Sequence, residues 1–194
     1  FLMRKLKALY IALLILAYGF SQAQNPVINE IMTMNDTTID DIEGDSPDWV
    51  ELFNPTSETI SLENWSLSDD KDNPGKWSFD KDARVQPYGF VLVFASGKDY
   101  ISAESHASFR LDAGNEPVLL VSPAGDIVDS IMPRCIPEDI SFGRETDGSK
   151  QYTHFAEPSP GYTNNHSGFA QVPIISDTLF FSHNPGYYEN PVEV

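Results

Sequence analysis

The 194-residue chain has few of the residues that most often build catalytic or metal centres. It contains one cysteine, Cys135, and four histidines with no close pair among them. A single thiol excludes a disulfide within the chain, and the absence of CxxC and of paired histidines leaves no pattern for a zinc site. No G-x-S-x-G and no P-loop glycine motif occurs. The sequence therefore predicts no catalytic residue.

Positive charge is also scarce. The chain has 12 Lys and Arg against 29 Asp and Glu, and its formal net charge is −17. Such a field repels nucleic acid and anionic membrane surfaces, so neither is expected as a partner. Strong acidity alone is typical of disordered chains, but 41% hydrophobic and 12% aromatic residues favour a packed core.

The one long apolar run is too short for a membrane anchor. Residues 8–17 (ALYIALLILA) follow a basic start at residues 4–7 and precede Ser-Gln-Ala at 21–23. A spanning helix needs about 20 apolar residues, whereas this three-part pattern is typical of a cleaved secretory signal peptide. We expect residues 1–23 to be removed and the protein to be secreted, periplasmic or at the cell surface. The residue after the expected cleavage point is not a cysteine, so no lipoprotein anchor is predicted.

The rest of the chain shows short strand-like segments between turns and no sustained helical period. Residues 48–54 alternate, with Trp49, Glu51 and Phe53 on one face and Val50 and Leu52 on the other. This spacing of strands and turns predicts an all-β sandwich or barrel with the tryptophans in its core. Further strands are expected at 27–32, 60–62, 65–68, 76–79, 90–95, 108–111, 117–122, 127–132, 141–144 and 152–155.

Composition divides the chain after residue 155, where Pro, Gly and Asn become frequent. We predict a signal peptide at 1–23, a sandwich domain at 24–164, a linker at 165–172 and the start of a second, truncated β domain at 173–194.

The order of motifs along residues 26–164 resembles the lamin-tail domain, in the form found in bacterial exported proteins. The motifs include VINEI at 27–31, DWVELFN at 48–54, LENWSLSD at 62–69, SFGR at 141–144 and PSPG at 158–161. The resemblance implies an immunoglobulin-like β-sandwich. Residues 173–194 resemble, more weakly, the start of a chitobiase-type C-terminal β-sandwich.

Five residues are expected to have structural roles in this domain: Glu51, Asn54, Trp65, Asp69 and Arg144. Glu51 points to an apolar face, so it needs partners, which are expected to be backbone N–H groups or Arg144. Asn54 and Asp69 lie at strand ends, where such side chains satisfy backbone groups in turns.

Calcium is the one cofactor for which the sequence offers candidate ligands. The predicted loop at 33–47 carries several carboxylates, and oxygen-rich loops bind this ion. The alternative is a solvated acidic loop that holds no metal. The candidate ligands are Asp36, Asp40, Asp41, Glu43 and Asp45.

Two classes of function fit these observations. The first is a non-catalytic module that binds a protein or glycan partner, with exposed Trp77 or Tyr187 as candidate sugar platforms, or that spaces neighbouring domains. The second is an N-terminal accessory domain of an exported enzyme such as a CotH-like kinase or a hydrolase.

Overall fold

The structure, a computed structural model, describes residues 25–112, 116–133, 136–166 and 168–169. Within these residues the chain forms thirteen β-strands and one short 3₁₀ helix, and it contains no α-helix. The all-β prediction is confirmed. The predicted signal peptide, Cys135 and the predicted second β domain at 173–194 lie outside the described residues.

The strands are short, as expected from the frequent turn residues. Their bounds are β1 Val27–Met32, β2 Trp49–Phe53, β3 Ile60–Ser61, β4 Ser66–Ser68, β5 Trp77–Ser78, β6 Arg84–Val85, β7 Phe90–Phe94, β8 Tyr100–Ile101, β9 Ser105–His106, β10 Val118–Val121, β11 Ile127–Ile131, β12 Ser141–Arg144 and β13 Tyr152–Phe155. The 3₁₀ helix covers Asn164–His166.

Three sheets contain these strands. The largest has the order β13-β12-β1-β2-β7-β9-β8, the second β11-β10-β4-β5, and the third pairs β3 with β6. Pairing is antiparallel except between β7 and β9, which run parallel. Strands β10 and β11, at the two neighbouring segments predicted as strands, pair antiparallel as a hairpin.

The main core lies between the seven-stranded and four-stranded sheets. Val50 and Leu52 of β2 pack there with Leu67 of β4 and Leu120 of β10, and all four are fully buried. Alternation along a strand sends successive side chains to opposite faces, which explains why these two residues of β2 share one side. The tryptophan prediction is confirmed for Trp65 and Trp77, which belong to this core, whereas Trp49 is buried in a second cluster.

The opposite face of the seven-stranded sheet, called the outer face below, is covered by loops. Trp49 is fully buried there against Met32 and Phe94, and Ile39 of the loop after β1 packs on the same cluster. Both faces of β2 are therefore enclosed, so polar side chains on the outer face need partners within the protein.

The structure differs from the sequence prediction in three places. The strand predicted at residues 108–111 is only an isolated bridge, Ser96 with Arg110. The sequence does not predict β6, β8 or β9, because a strand of two residues shows no alternation. Trp77 is 5% exposed and cannot serve as a sugar platform.

Among the described residues no helix has the length and apolarity that crossing a membrane requires.

Candidate functional site

A β-bulge in β1 turns two polar side chains toward the outer face. The register pairs Ile28 with Leu52 and then Glu30 with Glu51, so Asn29 is an extra residue in β1. A bulge re-aims the side chains next to it. Asn29 and Glu30 are both fully buried, and both bond to groups that lie after residue 140 in the chain.

Glu51 lies directly beside Glu30 on the neighbouring strand and is also fully buried. One carboxyl oxygen accepts a hydrogen bond from Asn29 Nδ2 at 3.0 Å, and the other accepts one from the backbone N–H of Gly161 at 2.6 Å. Burial, aided by the adjacent carboxylate of Glu30, raises the pKa of Glu51 to about 9, and the hydrogen bonds from Asn29 and Gly161 oppose part of this rise. Glu51 therefore keeps a proton at neutral pH.

Glu30 accepts hydrogen bonds from two serines. Its Oε1 accepts from the Ser141 hydroxyl and from the Ser159 backbone N–H at 3.1 Å, and its Oε2 accepts from the Ser159 hydroxyl at 2.8 Å. Burial raises the pKa of Glu30, and these hydrogen bonds oppose part of the rise. The carboxyl group thus ties residue 159 to the centre of the sheet.

The segment held by these carboxyls, residues 156–166, is called the strap. Asn164 of the strap is 1% exposed, and its side chain donates to the Arg144 carbonyl oxygen at 2.7 Å. Its backbone N–H donates to Asp147 Oδ1 at 3.0 Å, and the Thr163 hydroxyl donates to the other oxygen of Asp147. Asp147 also accepts from Asn29 Nδ2 at 3.1 Å. The strap is therefore bonded to β1, to β2 and to the turn after β12.

Arg144 pairs with Asp129 rather than with Glu51, so the expected Glu51–Arg144 contact is wrong. Its Nη2 lies 2.7 Å from Asp129 Oδ2, and its Nε donates to the Ile28 carbonyl oxygen at 2.8 Å. Nη1 donates to the Ser149 carbonyl oxygen. The other expected type of partner for Glu51, a backbone N–H, is present.

The two residues expected to stabilise turns behave differently. Asn54 is fully buried, accepts from the Thr56 N–H and donates to backbone carbonyl oxygens, that of Glu58 among them at 2.7 Å. Asp69 instead forms an ion pair with Lys76 at 2.7 Å, so its expected turn role is wrong.

The predicted calcium ligands do not converge on one point. Asp36 lies near Glu138 and Asp139, with carboxylate oxygens within 4.8 Å of one another. Asp139 already accepts hydrogen bonds from the Thr37 hydroxyl, the Thr37 N–H and the Asp36 N–H, and these bonds lower its pKa to about 2. Asp40 accepts from the Ser46 hydroxyl at 2.8 Å.

The three remaining carboxylates surround the ammonium group of Lys98. Lys98 Nζ lies 2.5 Å from Asp41, 2.8 Å from Glu43 and 2.8 Å from Asp45. Burial alone would raise the pKa of Asp41, but the hydrogen bonds from Lys98 and from nearby backbone N–H groups lower it. The hydrogen bonds to these carboxylates raise the pKa of Lys98 in turn. A lysine thus supplies the cation at this place, and calcium binding by the loop stays a prediction.

A histidine is buried beside this loop. His106 Nδ1 lies 3.0 Å from Ser96 Oγ, and its Nε2 lies 3.5 Å from Glu104. The ring is fully buried and stacked between Phe94 and Tyr100, with ring centroids 5.3 and 4.2 Å away. No substrate reaches a ring enclosed in this way, so the arrangement is structural.

An open cleft of about 430 Å³ lies between the strap and the strand ends at which β2 finishes and β7 begins. Phe53 and Phe90 lie opposite each other in these strands, with ring centroids 5.1 Å apart. Tyr88 is 61% exposed. The lining residues are Phe53, Pro55, Tyr88, Phe90, Asp147, Thr163 and Asn165.

The match to a known family agrees with this geometry. A model of the lamin tail domain family matches residues 20–134, more than half of the chain. The chain belongs to the lamin tail domain family. Lamin tail domains are non-catalytic immunoglobulin-like β-sandwiches, which is the fold that the resemblance implied. No curated protein matches the chain.

The matched residues end before the lamin tail domain does in this structure. Strand β12 pairs with β1, and β13 pairs with β12, so both complete the seven-stranded sheet beyond residue 134. The strap adds the buried contacts to Glu30 and Glu51. The physical domain therefore includes residues that follow the matched segment.

Proposed function

We propose that this lamin tail domain is a non-catalytic module of an exported multidomain protein. It binds a protein or glycan partner at the cell surface, or it holds neighbouring domains of the same chain at a fixed spacing. The family membership supports the non-catalytic part, and the signal-like residues 1–23 support export.

The observation that carries the proposal is how the strongly perturbed carboxyl pair is used. Adjacent buried acids with raised pKa values are common in acid–base catalysis, so Glu30 and Glu51 are the strongest candidates for catalytic residues. Every hydrogen bond described above for these two carboxyl groups goes to the protein itself. Both side chains are 0% exposed. The pair therefore serves to fix the strap.

A fixed strap suits a spacing role. The chain leaves the domain through this segment, and residues 168–169 continue along β13, where the Ala156 N–H donates to the Gly168 carbonyl oxygen at 2.8 Å and Phe155 bridges Phe169. Because hydrogen bonds fix this segment to the strands, a domain that followed it would keep a defined orientation, whereas a flexible linker would let the orientation vary.

Two measurements on the full chain test the proposal. Binding is measured on a glycan array and on a peptide array, and turnover is measured with ATP and with nitrophenyl esters and glycosides. We expect saturable binding on at least one array and no turnover. Turnover that disappears in Glu51→Gln would contradict the proposal, because it would assign chemistry to the carboxyl pair.

A further inference from the structure

We propose that the cleft beside the strap binds an alkylated ammonium group, such as the trimethylammonium end of choline or of a methylated lysine. The inference rests on the proposed binding role and names the chemistry that a partner would present. It starts from three features of the cleft: its rings, its charge and the rigidity of its walls.

The rings provide faces that attract a cation. Tyr88 presents a largely exposed phenol, and beside it the half-buried Phe90 and the 7%-exposed Phe53 form a tilted pair with an interplanar angle of 33°. An aromatic face carries negative charge density and attracts a cation within about 6 Å of its centre. Pro55 adds further apolar surface. The volume of about 430 Å³ falls within the usual range for small-ligand sites.

Charge favours a cation over a neutral or anionic ligand. Asp147 lines the cleft, and among the described residues that line it none is Lys or Arg. The whole chain carries −17, so long-range forces draw cations toward the domain and repel anions. A neutral sugar would gain nothing from this field. An alkylated ammonium group suits an apolar lining, because its methyl groups pack on the rings and less hydration is lost than for a primary ammonium.

The walls of the cleft are fixed before any ligand arrives. Asp147 accepts hydrogen bonds from Asn29 of the buried network and from Thr163 and Asn164 of the strap. The turn after Asp147 lies against the floor, since a Cβ at Gly148 would be 3.4 Å from the Phe53 ring. A site whose groups are already held in place spends less binding free energy on ordering them.

The decisive comparison uses a charged ligand and a neutral ligand of the same shape. Choline and 3,3-dimethylbutan-1-ol differ in one central atom, nitrogen in the first and carbon in the second. Each is titrated into the full chain and followed by calorimetry and by NMR, with tetramethylammonium as a third ligand. We expect saturable binding of both cations and at least tenfold weaker binding of the alcohol. Equal binding of choline and the alcohol would overturn the proposal, and so would no saturable binding of either cation.

Variants at an exposed position locate the site. Tyr88→Leu should weaken choline binding by about 2- to 30-fold, the range for loss of one cation–π contact. Tyr88→Phe keeps the ring and should bind as the wild type does. Tyr162→Leu is the matched control, because Tyr162 is 76% exposed and does not line the cleft. Equal losses in Tyr88→Leu and Tyr162→Leu would overturn the assignment.

Two further probes identify the source of the group and separate this inference from the proposed function. A trimethyl-lysine peptide and phosphatidylcholine vesicles present the same ammonium chemistry, and binding of either supports the proposal. If a neutral disaccharide displaced choline from the protein, the proposal of a cation site would be overturned in favour of a sugar site. An array partner that binds while neither choline nor tetramethylammonium does would leave the module a binding domain and contradict this use of the cleft.

Discussion

Replacement of Glu51 by Gln should change how stability depends on pH. The pKa of Glu51 is about 9 in the folded protein, compared with an ordinary value of 4.5 that applies to the unfolded chain. Because the folded protein favours the protonated form of Glu51, the stability that this group contributes is complete below pH 4.5 and is lost as pH rises toward 9. Unfolding between these limits releases one proton from this group. The wild type should therefore be more stable at pH 5 than at pH 8.

The size of the effect follows from the proton that is released. One proton corresponds to a slope of about 1.4 kcal/mol per pH unit in the free energy of unfolding, which gives up to about 4 kcal/mol between pH 5 and pH 8. The amide of the Glu51→Gln variant has no proton to lose in this range. Its one amide oxygen can accept from either Asn29 or Gly161, so its NH2 group faces the other, which is itself a donor, and a buried unpaired donor costs about 1–3 kcal/mol. The variant should be less stable than the wild type at pH 5 and more stable at pH 8.

Urea unfolding followed by tryptophan fluorescence at intervals between pH 5 and pH 9 measures both curves. Glu58→Gln is the control, because Glu58 is an exposed carboxylate and its replacement should leave the pH dependence of the wild type unchanged. Wild-type stability that is constant or rises from pH 5 to pH 8 would refute the reasoning. A Glu51→Gln curve parallel to that of the wild type would assign the pH dependence to another group.

Three further predictions concern other parts of the chain. Gly143→Ala should destabilise the domain by about 2–3 kcal/mol in urea unfolding, because its Cβ would lie 2.5 Å from the Asn29 carbonyl oxygen, whereas Gly75→Ala, with nothing within 4 Å, should change little. Lys98→Gln should lower the Tm by removing the cation among three carboxylates, and Ca²⁺ should raise the Tm of this variant more than that of the wild type. An equal calcium effect on both would count against the view that Lys98 fills that place. Expression in a bacterial host should give an exported protein whose mass corresponds to a start at residue 24, and retention of residues 1–23 would contradict the signal peptide.

The sequence predicts the parts of the fold that depend on local pattern. The bounds expected for β1, β12 and β13 agree with the structure, and Val50 and Leu52 share one face of β2 as the alternation predicts. These predictions succeed because strand periodicity and turn residues act over a few positions. The two-residue strands β6 and β8 escape prediction for the same reason, since a pair of residues shows no period.

The partners of the buried polar residues could not be predicted in the same way. The bulge at Asn29 depends on the register between β1 and β2, and a shift of one residue moves side chains to the other face. Opposite charges favour a pair between Glu51 and Arg144, but Asp129 of the four-stranded sheet lies at the guanidinium instead. Lys98 is far along the chain from the acids around it, and no local signal connects them.

Four of the five motifs quoted for the family resemblance share one physical explanation. NEI supplies Asn29 and Glu30, WVEL supplies Glu51, and SFGR supplies Ser141 and Arg144. The turn after SFGR and the PSPG stretch supply the groups that bond to them. Each motif contributes one or two members, so each is a weak signal alone, and a buried polar network is stable only when every member has its partner. A change in any one motif should therefore loosen the strap, and because Asp147 of that network lines the aromatic cleft, it should also weaken ligand binding at a distance from the changed residue.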